Sequence, residues 1–403
     1  MNNKLYLNNS AKFKSLKKVY TKETRKKLDN IFLEIKNDIL KKNKTLNVLD
    51  KNFEFNFKLK DLIKFKKYKK LAIIGMGGSI LGAEAIYNFF EARIKKKVYF
   101  FNDLNEKKLQ DFKRKENFKS VLFIIISKSG NTIETLSNSF SLNIIKKNSK
   151  NIIIITEKKD NSLYNLAKKF NLYFIEHKKN IGGRFSVLSE VGVVPAYLMG
   201  INILNLRLKI LDFLKGFEKN YLKESAYTLS EFLLANNFNN IVFLNYSPNL
   251  EKFLFWCQQL IAESLGKNHK GFFPVVSSMP KDHHSLLQLY LDGPEDKIFY
   301  IFSDENKSKI RINVKNKLKK NLLHHKLIGS IKKAQKDSLI RAMKKNKTIF
   351  REFRIKKINE EVLGKLFSYF ILETIVIGKL VKINPFNQPA VEQVKIFTNQ
   401  FLR

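Results

Sequence analysis

The chain has 403 residues, 44% of them hydrophobic, which is enough to bury a large core in about two or three domains. Its 76 Lys and Arg against 36 Asp and Glu give a net charge of +40, but the lysines run along the whole length among Asn, Ile and Phe, as one uniform bias that solvated lysine faces explain. Clusters at Lys66-Lys67-Tyr68-Lys69-Lys70 and from Lys315 to Lys320 offer only nonspecific polyanion contact, and no helix-turn-helix, zinc finger or aromatic RNA-binding strand points to a specific nucleic-acid partner.

The single cysteine, Cys257, excludes an intramolecular disulfide, and the six histidines show no metal-ligand spacing. The start M-N-N-K-L-Y-L-N-N has no signal-peptide core. The apolar run Leu366–Leu380 is short, carries Glu373 and Lys379, and reads as a buried helix. The expectation is a cytoplasmic protein with no metal, no cofactor and no membrane partner.

Residues 1–51 alternate lysines with apolar positions at helical spacing (Leu28, Ile31, Phe32, Ile35, Ile39, Leu40) and read as an N-terminal helical segment. Strands then recur at Leu71–Gly75, Lys97–Asn102, Val121–Ser127, Asn151–Thr156 and Leu172–Ile175, with helix-length gaps, which predicts a doubly wound parallel sheet over 52–200. The apolar stretch Ser189–Leu214 predicts buried helices leading to a second unit over 201–356, with strands at Asn240–Asn245, Lys297–Phe302 and Thr348–Phe353. A helical segment over 357–403 closes the chain. The predicted fold class is α/β, with two doubly wound parallel sheets in tandem.

Two strand-to-helix junctions carry chemistry. In I-I-G-M-G-G-S-I-L-G, three of only 16 glycines (Gly75, Gly77, Gly78) follow a buried strand, and Ser79 stands where a helix begins, so several N–H groups are free to point at one anion. The third glycine of a dinucleotide fingerprint is replaced by Ile80, and no Gly-Lys-Ser/Thr follows, so the motif is neither that fingerprint nor a P-loop. After Val121–Ile126 comes S-K-S-G-N-T-I-E-T, with Ser127, Ser129, Thr132 and Thr135 around one glycine and Lys128 adding charge. Each junction alone is also a plain turn or an N-cap. Both lie at the carboxyl edge of neighbouring parallel strands, where open α/β folds bind ligands.

Farther on, E-K-F-L-F-W-C-Q-Q-L-I-A-E-S-L-G-K places Gln259 and Glu263 on one helix face, with Gly266 ending the helix. A stretch of loop character, Gly271–Lys281, leads to K-D-H-H-S-L-L-Q-L, in which one of His283 and His284 is expected to point inward. In N-P-F-N-Q-P-A-V-E-Q-V-K two prolines fix a loop leading into a helix that carries Lys395.

Taken together, G-M-G-G-S-I-L-G (75–82), S-K-S-G-N-T-I-E-T (127–135), G-G-R-F-S (182–186), Q-Q-L-I-A-E-S-L-G-K (258–267), D-H-H-S-L-L-Q-L (282–289) and N-P-F-N-Q-P-A-V-E (384–392) resemble the phosphoglucose isomerase family, in family order over about three-quarters of the chain. The first two segments alone are shared by the wider sugar-isomerase (SIS) domain superfamily. The resemblance implies reversible isomerisation of glucose 6-phosphate and fructose 6-phosphate through a cis-enediol. It places the substrate phosphate at Ser127, Lys128, Ser129, Thr132 and Thr135, with Gly78, Ser79 and Gly183 nearby. Glu263 matches the base, Arg184 the arginine that steadies the enediolate, and His284 with Lys395 the ring-opening pair. Gln259 and Gln388 match contacts to sugar hydroxyls. Leu265 and Val394 depart from the family pattern without altering a reacting group. The partners implied are a sugar phosphate and a second copy of the chain, in a homodimer where His284 serves the neighbour's site. Competing readings are another superfamily isomerase and a sugar-phosphate-binding regulator.

Overall fold

The computed structural model describes residues 4–15, 21–305, 308–314 and 321–402. The lysine cluster from Lys315 to Lys320 lies outside them. Ten strands are present among the described residues: β1 (Leu5–Asn9), β2 (Lys70–Ile74), β3 (Lys97–Phe101), β4 (Val121–Ile126), β5 (Ile152–Thr156), β6 (Tyr173–Glu176), β7 (Asn240–Asn245), β8 (Phe273–Ser278), β9 (Lys297–Asp304) and β10 (Phe350–Ile355).

They form two five-stranded sheets. The first has the order β3-β2-β4-β5-β6 and is parallel throughout. Every residue of β4 and β5 is buried, as expected of strands covered by helices on both faces, and this is why V-L-F-I-I-I and I-I-I-I-T are continuous apolar runs. Ile74 pairs with Ile125, so β2 and β4 release their following loops side by side at one carboxyl edge.

The second sheet has the order β1-β10-β9-β7-β8, parallel except for β1, which runs antiparallel to β10 with Leu5 opposite Ile355. The N-terminal segment is therefore not purely helical. Its helix Lys22–Leu40 buries the expected Leu28, Ile31, Phe32, Ile35 and Ile39 but leaves Leu40 at its end exposed, and the strand Leu5–Asn9 ahead of it completes the far sheet. Nor is 271–281 purely loop: Phe273–Ser278 is an edge strand, where Pro274 is tolerated because one side of the strand needs no ladder donor.

The core between the sheets is organised around the helix Glu360–Leu380, buried on nearly all sides. The Glu251–Leu265 and Gly216–Ala235 helices pack against it. A deeply buried carboxylate of this helix, Glu373, receives Arg351 Nη1 at 2.9 Å and the Tyr369 hydroxyl at 2.5 Å, which compensates its charge in apolar surroundings.

Candidate active site

The glycine junction after β2 is a meeting point of three segments. A Cβ on Gly78 would lie 2.2 Å from the carbonyl carbon of Gly183, so only glycine lets the 75–79 turn touch the backbone that carries Arg184. Gly77 has φ +51°, and a Cβ there would lie 2.8 Å from the Gln259 side-chain nitrogen. The amides of Ser79 and Ile80 donate back to the carbonyls of Met76 and Gly77, both at 3.0 Å. The glycines thus serve close approach to Gly183 and Gln259, and those two amides are not offered to an anion.

The second junction is built differently. Ser127 Oγ and Thr132 Oγ1 are 2.8 Å apart, and Ser129 Oγ stands 3.4 Å from each, so three hydroxyls converge over the Gly130 turn. Gly130 has φ +72°, and a Cβ on it would fall 1.7 Å from Asn161 Oδ1; any other residue would expel the asparagine beneath the loop. Thr132 precedes the helix Ile133–Ser141 without capping it by its side chain, and the Thr135 hydroxyl is buried with no hydrogen-bond partner among the described residues. Lys128 points elsewhere: its Nζ donates to the Lys179 carbonyl at 2.8 Å and sits 3.7 Å from Glu157. Burial pushes its pKa down. The hydroxyl cluster therefore lacks the lysine charge expected of it.

Arg184, one residue past Gly183, is only 2% exposed and all five of its donors are engaged. Nε donates to Ser264 Oγ (2.8 Å), Nη1 to Glu263 Oε2 (3.2 Å) and Gln388 Oε1 (2.6 Å), and Nη2 to the carbonyls of Pro385 (2.6 Å) and Asn387 (3.1 Å). Burial lowers its pKa and the Glu263 carboxylate opposes that shift. The other carboxylate oxygen, Glu263 Oε1, accepts from Gln259 Nε2 at 2.9 Å, one helical turn away. Gln259 Oε1 is buried and has no partner among the described residues. Glu263 itself is partly exposed and borders a cavity of about 700 Å³ together with Lys267 and Gln388.

Sequence reasoning passed over two residues of this cluster, although both lie inside a motif it singled out. Ser264 fixes the Arg184 Nε edge. Lys267 Nζ donates to the carbonyls of Ser264 (3.0 Å) and Asn384 (2.6 Å), tying the end of the Glu263 helix to the loop that holds Gln388. Burial, followed by the Arg184 charge, lowers the Lys267 pKa to about 8.

The expected ring-opening pair is not brought to this cluster within one chain. His283 is the inward member of its pair, with Nε2 hydrogen-bonded to the Tyr246 hydroxyl at 2.6 Å, while His284 is exposed on the turn after β8. Lys395 lies on the Pro389–Phe401 helix, none of whose residues is buried, and pairs with Glu392 at 2.6 Å. Among the described residues no hydrogen bond or ion pair links His284 or Lys395 to Glu263 or Arg184.

Two tandem sheets, parallel except for β1, with these junctions define a protein of the phosphosugar isomerase fold. The fold is shared with a hypothetical protein from Thermus thermophilus (TM-score 0.83, 22% identity, 98% of this chain and 100% of that one). It is shared also with a glucose-6-phosphate isomerase from Chlamydia trachomatis (TM-score 0.69, 18% identity, 84% and 71%). A probable glucose-6-phosphate isomerase of Methanococcus maripaludis is 33% identical over 92% of this chain and 84% of its own length, and the glucose-6-phosphate isomerase of Methanocaldococcus jannaschii is 34% identical over 81% and 83%. The description of the phosphoglucose isomerase family matches residues 28–277. The chain belongs to that family, and it is an aldose–ketose isomerase.

Proposed function

We propose that the enzyme interconverts glucose 6-phosphate and fructose 6-phosphate with Glu263 as the base, Arg184 as the electrostatic partner of the enediolate, and Ser127, Ser129, Thr132 and Thr135 as the phosphate cradle. The observation that carries this reading is the shared contact of Arg184 Nη1 with both Glu263 and Gln388. It brings a carboxylate and a permanent cation to one point of the cleft.

From the open-chain aldose, the Glu263 carboxylate takes the C2 proton. The C–H electron pair becomes the C1=C2 double bond, and the C1 carbonyl pair moves onto oxygen. Negative charge leaves Glu263 and appears on the substrate oxygen, so a guanidinium already touching the carboxylate has an anion beside it throughout. Transfer of the O2 proton to O1, and return of the proton from Glu263 to C1, gives the ketose with its C1 hydroxyl. Gln259 keeps one carboxylate oxygen fixed so that the other faces the carbon. Gly78, Ser79 and Gly183 shape the wall between cradle and base, and Gln388, held by Arg184, meets sugar hydroxyls. With the charge of Lys128 turned away, the cradle is a neutral one of hydroxyls and the start of the Ile133–Ser141 helix.

Ring opening is assigned to His284 and Lys395 in a cytoplasmic homodimer. What supports this is their exposure on one chain, together with the apolar Val394, Ile396 and Phe397 laid bare on the helix that carries Lys395. A coupled assay of glucose 6-phosphate formation from fructose 6-phosphate tests the reading. The wild-type chain should turn over without added metal, and a chain that binds fructose 6-phosphate but forms no product would instead be a binding protein.

A further inference from the structure

The second sheet repeats the strand order of the first. β2 lies between β3 and β4, with β5 next and β6 at the edge; β7 lies between β8 and β9, with β10 next and β1 at the edge. β9 is thus the counterpart of β4, and the helix Ile328–Lys345 between β9 and β10 is the counterpart of Ile133–Ser141. Where the first sheet places Ser127 at the end of β4, the second places Ser303 near the end of β9.

Ser303 is 6% exposed, and its hydroxyl has no hydrogen-bond partner among the described residues. Ser303 is among the residues that line a cavity of about 340 Å³, which the first turn of Ile328–Lys345 also borders. That helix, N-capped by Leu327, has no side-chain cap and no acidic residue in its first turn, so no side chain of its own compensates its N-terminal dipole. Lys332, Lys333, Lys336 and Arg354 border the cavity against Asp304 and Glu305. Several of these are paired: Arg354 with Glu305 at 3.3 Å, Lys336 with Glu352 at 3.0 Å, and Lys333 with Asp337. Lys332 makes no ion pair among the described residues. A buried hydroxyl without a partner, an uncapped helix start and an unpaired lysine all lack the same thing, an anion.

We infer that this cavity is a second anion site, which takes the phosphate group of a small phosphorylated molecule at the carboxyl edge of the second sheet, apart from the isomerase cleft. Inorganic phosphate is the probe, followed by titration calorimetry on the full chain at fixed chloride. In a Ser129→Ala/Thr132→Ala background, which weakens the first cradle, one phosphate per chain should still bind. Adding Ser303→Ala and Lys332→Ala should weaken that binding about tenfold or more. Without phosphate, Ser303→Ala should leave the thermal midpoint unchanged or raise it, which separates lost binding from lost folding. The same loss from Lys345→Ala, at the far end of the helix, would reduce the effect to general attraction by a +40 chain and overturn the site. So would the absence of saturable phosphate binding in the background variant. If instead Ser129→Ala/Thr132→Ala leaves all phosphate binding intact, the first cradle fails and the second is untouched.

Discussion

Arg184 Nη1 stands 3.2 Å from Glu263 Oε2, and the same guanidinium reaches Gln388 from a segment more than a hundred residues farther along the chain. One buried cation therefore fixes the relative position of Glu263, the Gly183 turn and the C-terminal loop. A side chain with five donors in a planar fork can do this, and one with a single ammonium cannot.

Arg184→Lys should accordingly lower turnover by about 10²-fold or more, the scale seen when one donor to a developing oxyanion is lost. It should also lower stability by about 1–3 kcal/mol, because buried acceptors at Ser264 and Pro385 lose their partners. Kinetics and urea denaturation on the same preparation check both. An enzyme that kept its turnover would show Arg184 to be a structural clamp only.

Glu263→Gln keeps the shape of the side chain and removes its basicity. Fructose 6-phosphate should still bind, while turnover falls by about 10²–10⁴-fold. The pair of measurements matters, since a variant with lost binding and intact turnover per bound substrate would move the base elsewhere.

The first sheet was legible because a parallel sheet buried on both faces writes itself as unbroken apolar runs, and both junctions could be placed at its carboxyl edge. β1 was not legible. L-Y-L-N-N has no apolar run, and its pairing with β10 is a contact between segments far apart in the chain that no local pattern encodes. β8 hid behind Pro274. In the site, Gln259 and Glu263 could be placed on one face from their spacing, whereas Arg184 and Gln388 came to them only through the family resemblance. The aim of Lys128 toward Lys179 and the reach of Lys267 to Asn384 depend on three-dimensional neighbours, and the sequence lent them no signal of direction.

Ser129→Ala or Thr132→Ala removes one donor to a charged acceptor, so binding of fructose 6-phosphate should weaken about tenfold or more. A phosphorylated inhibitor should lose as much as the substrate does. If an unphosphorylated sugar lost equally, the loop would not be reading the phosphate.

Lys267 carries a pH signature. Its pKa is lowered to about 8 in the fold, against about 10.4 for an ordinary lysine, so between those values the unfolded chain binds more protons than the folded one. Stability contributed at this position therefore rises with pH through that window, and the neutral amine still has two donors for Ser264 and Asn384. The stability gap between wild type and Lys267→Met should be larger at high pH than near neutrality. Equal gaps in urea titrations on either side of the window would show that the ammonium is not desolvated.

The assignment of His284 to a neighbour's cleft makes the sharpest prediction about assembly. His284 is exposed beside the edge strand β8, with no hydrogen bond or ion pair to Glu263 among the described residues, so a site shared across a two-fold axis would join Glu263 of one subunit to His284 of the other. Pure Glu263→Gln dimers and pure His284→Ala dimers should both be impaired, because every site in each carries one lesion. Refolded together, the two chains should form heterodimers in which one site carries both lesions and the other carries neither. Activity of the mixture should then rise well above that of either parent, in proportion to the heterodimer fraction measured by mass. A mixture that shows only the average of its parents while heterodimers are present would place His284 in its own chain's site, and a fully active monomer would remove the shared site altogether.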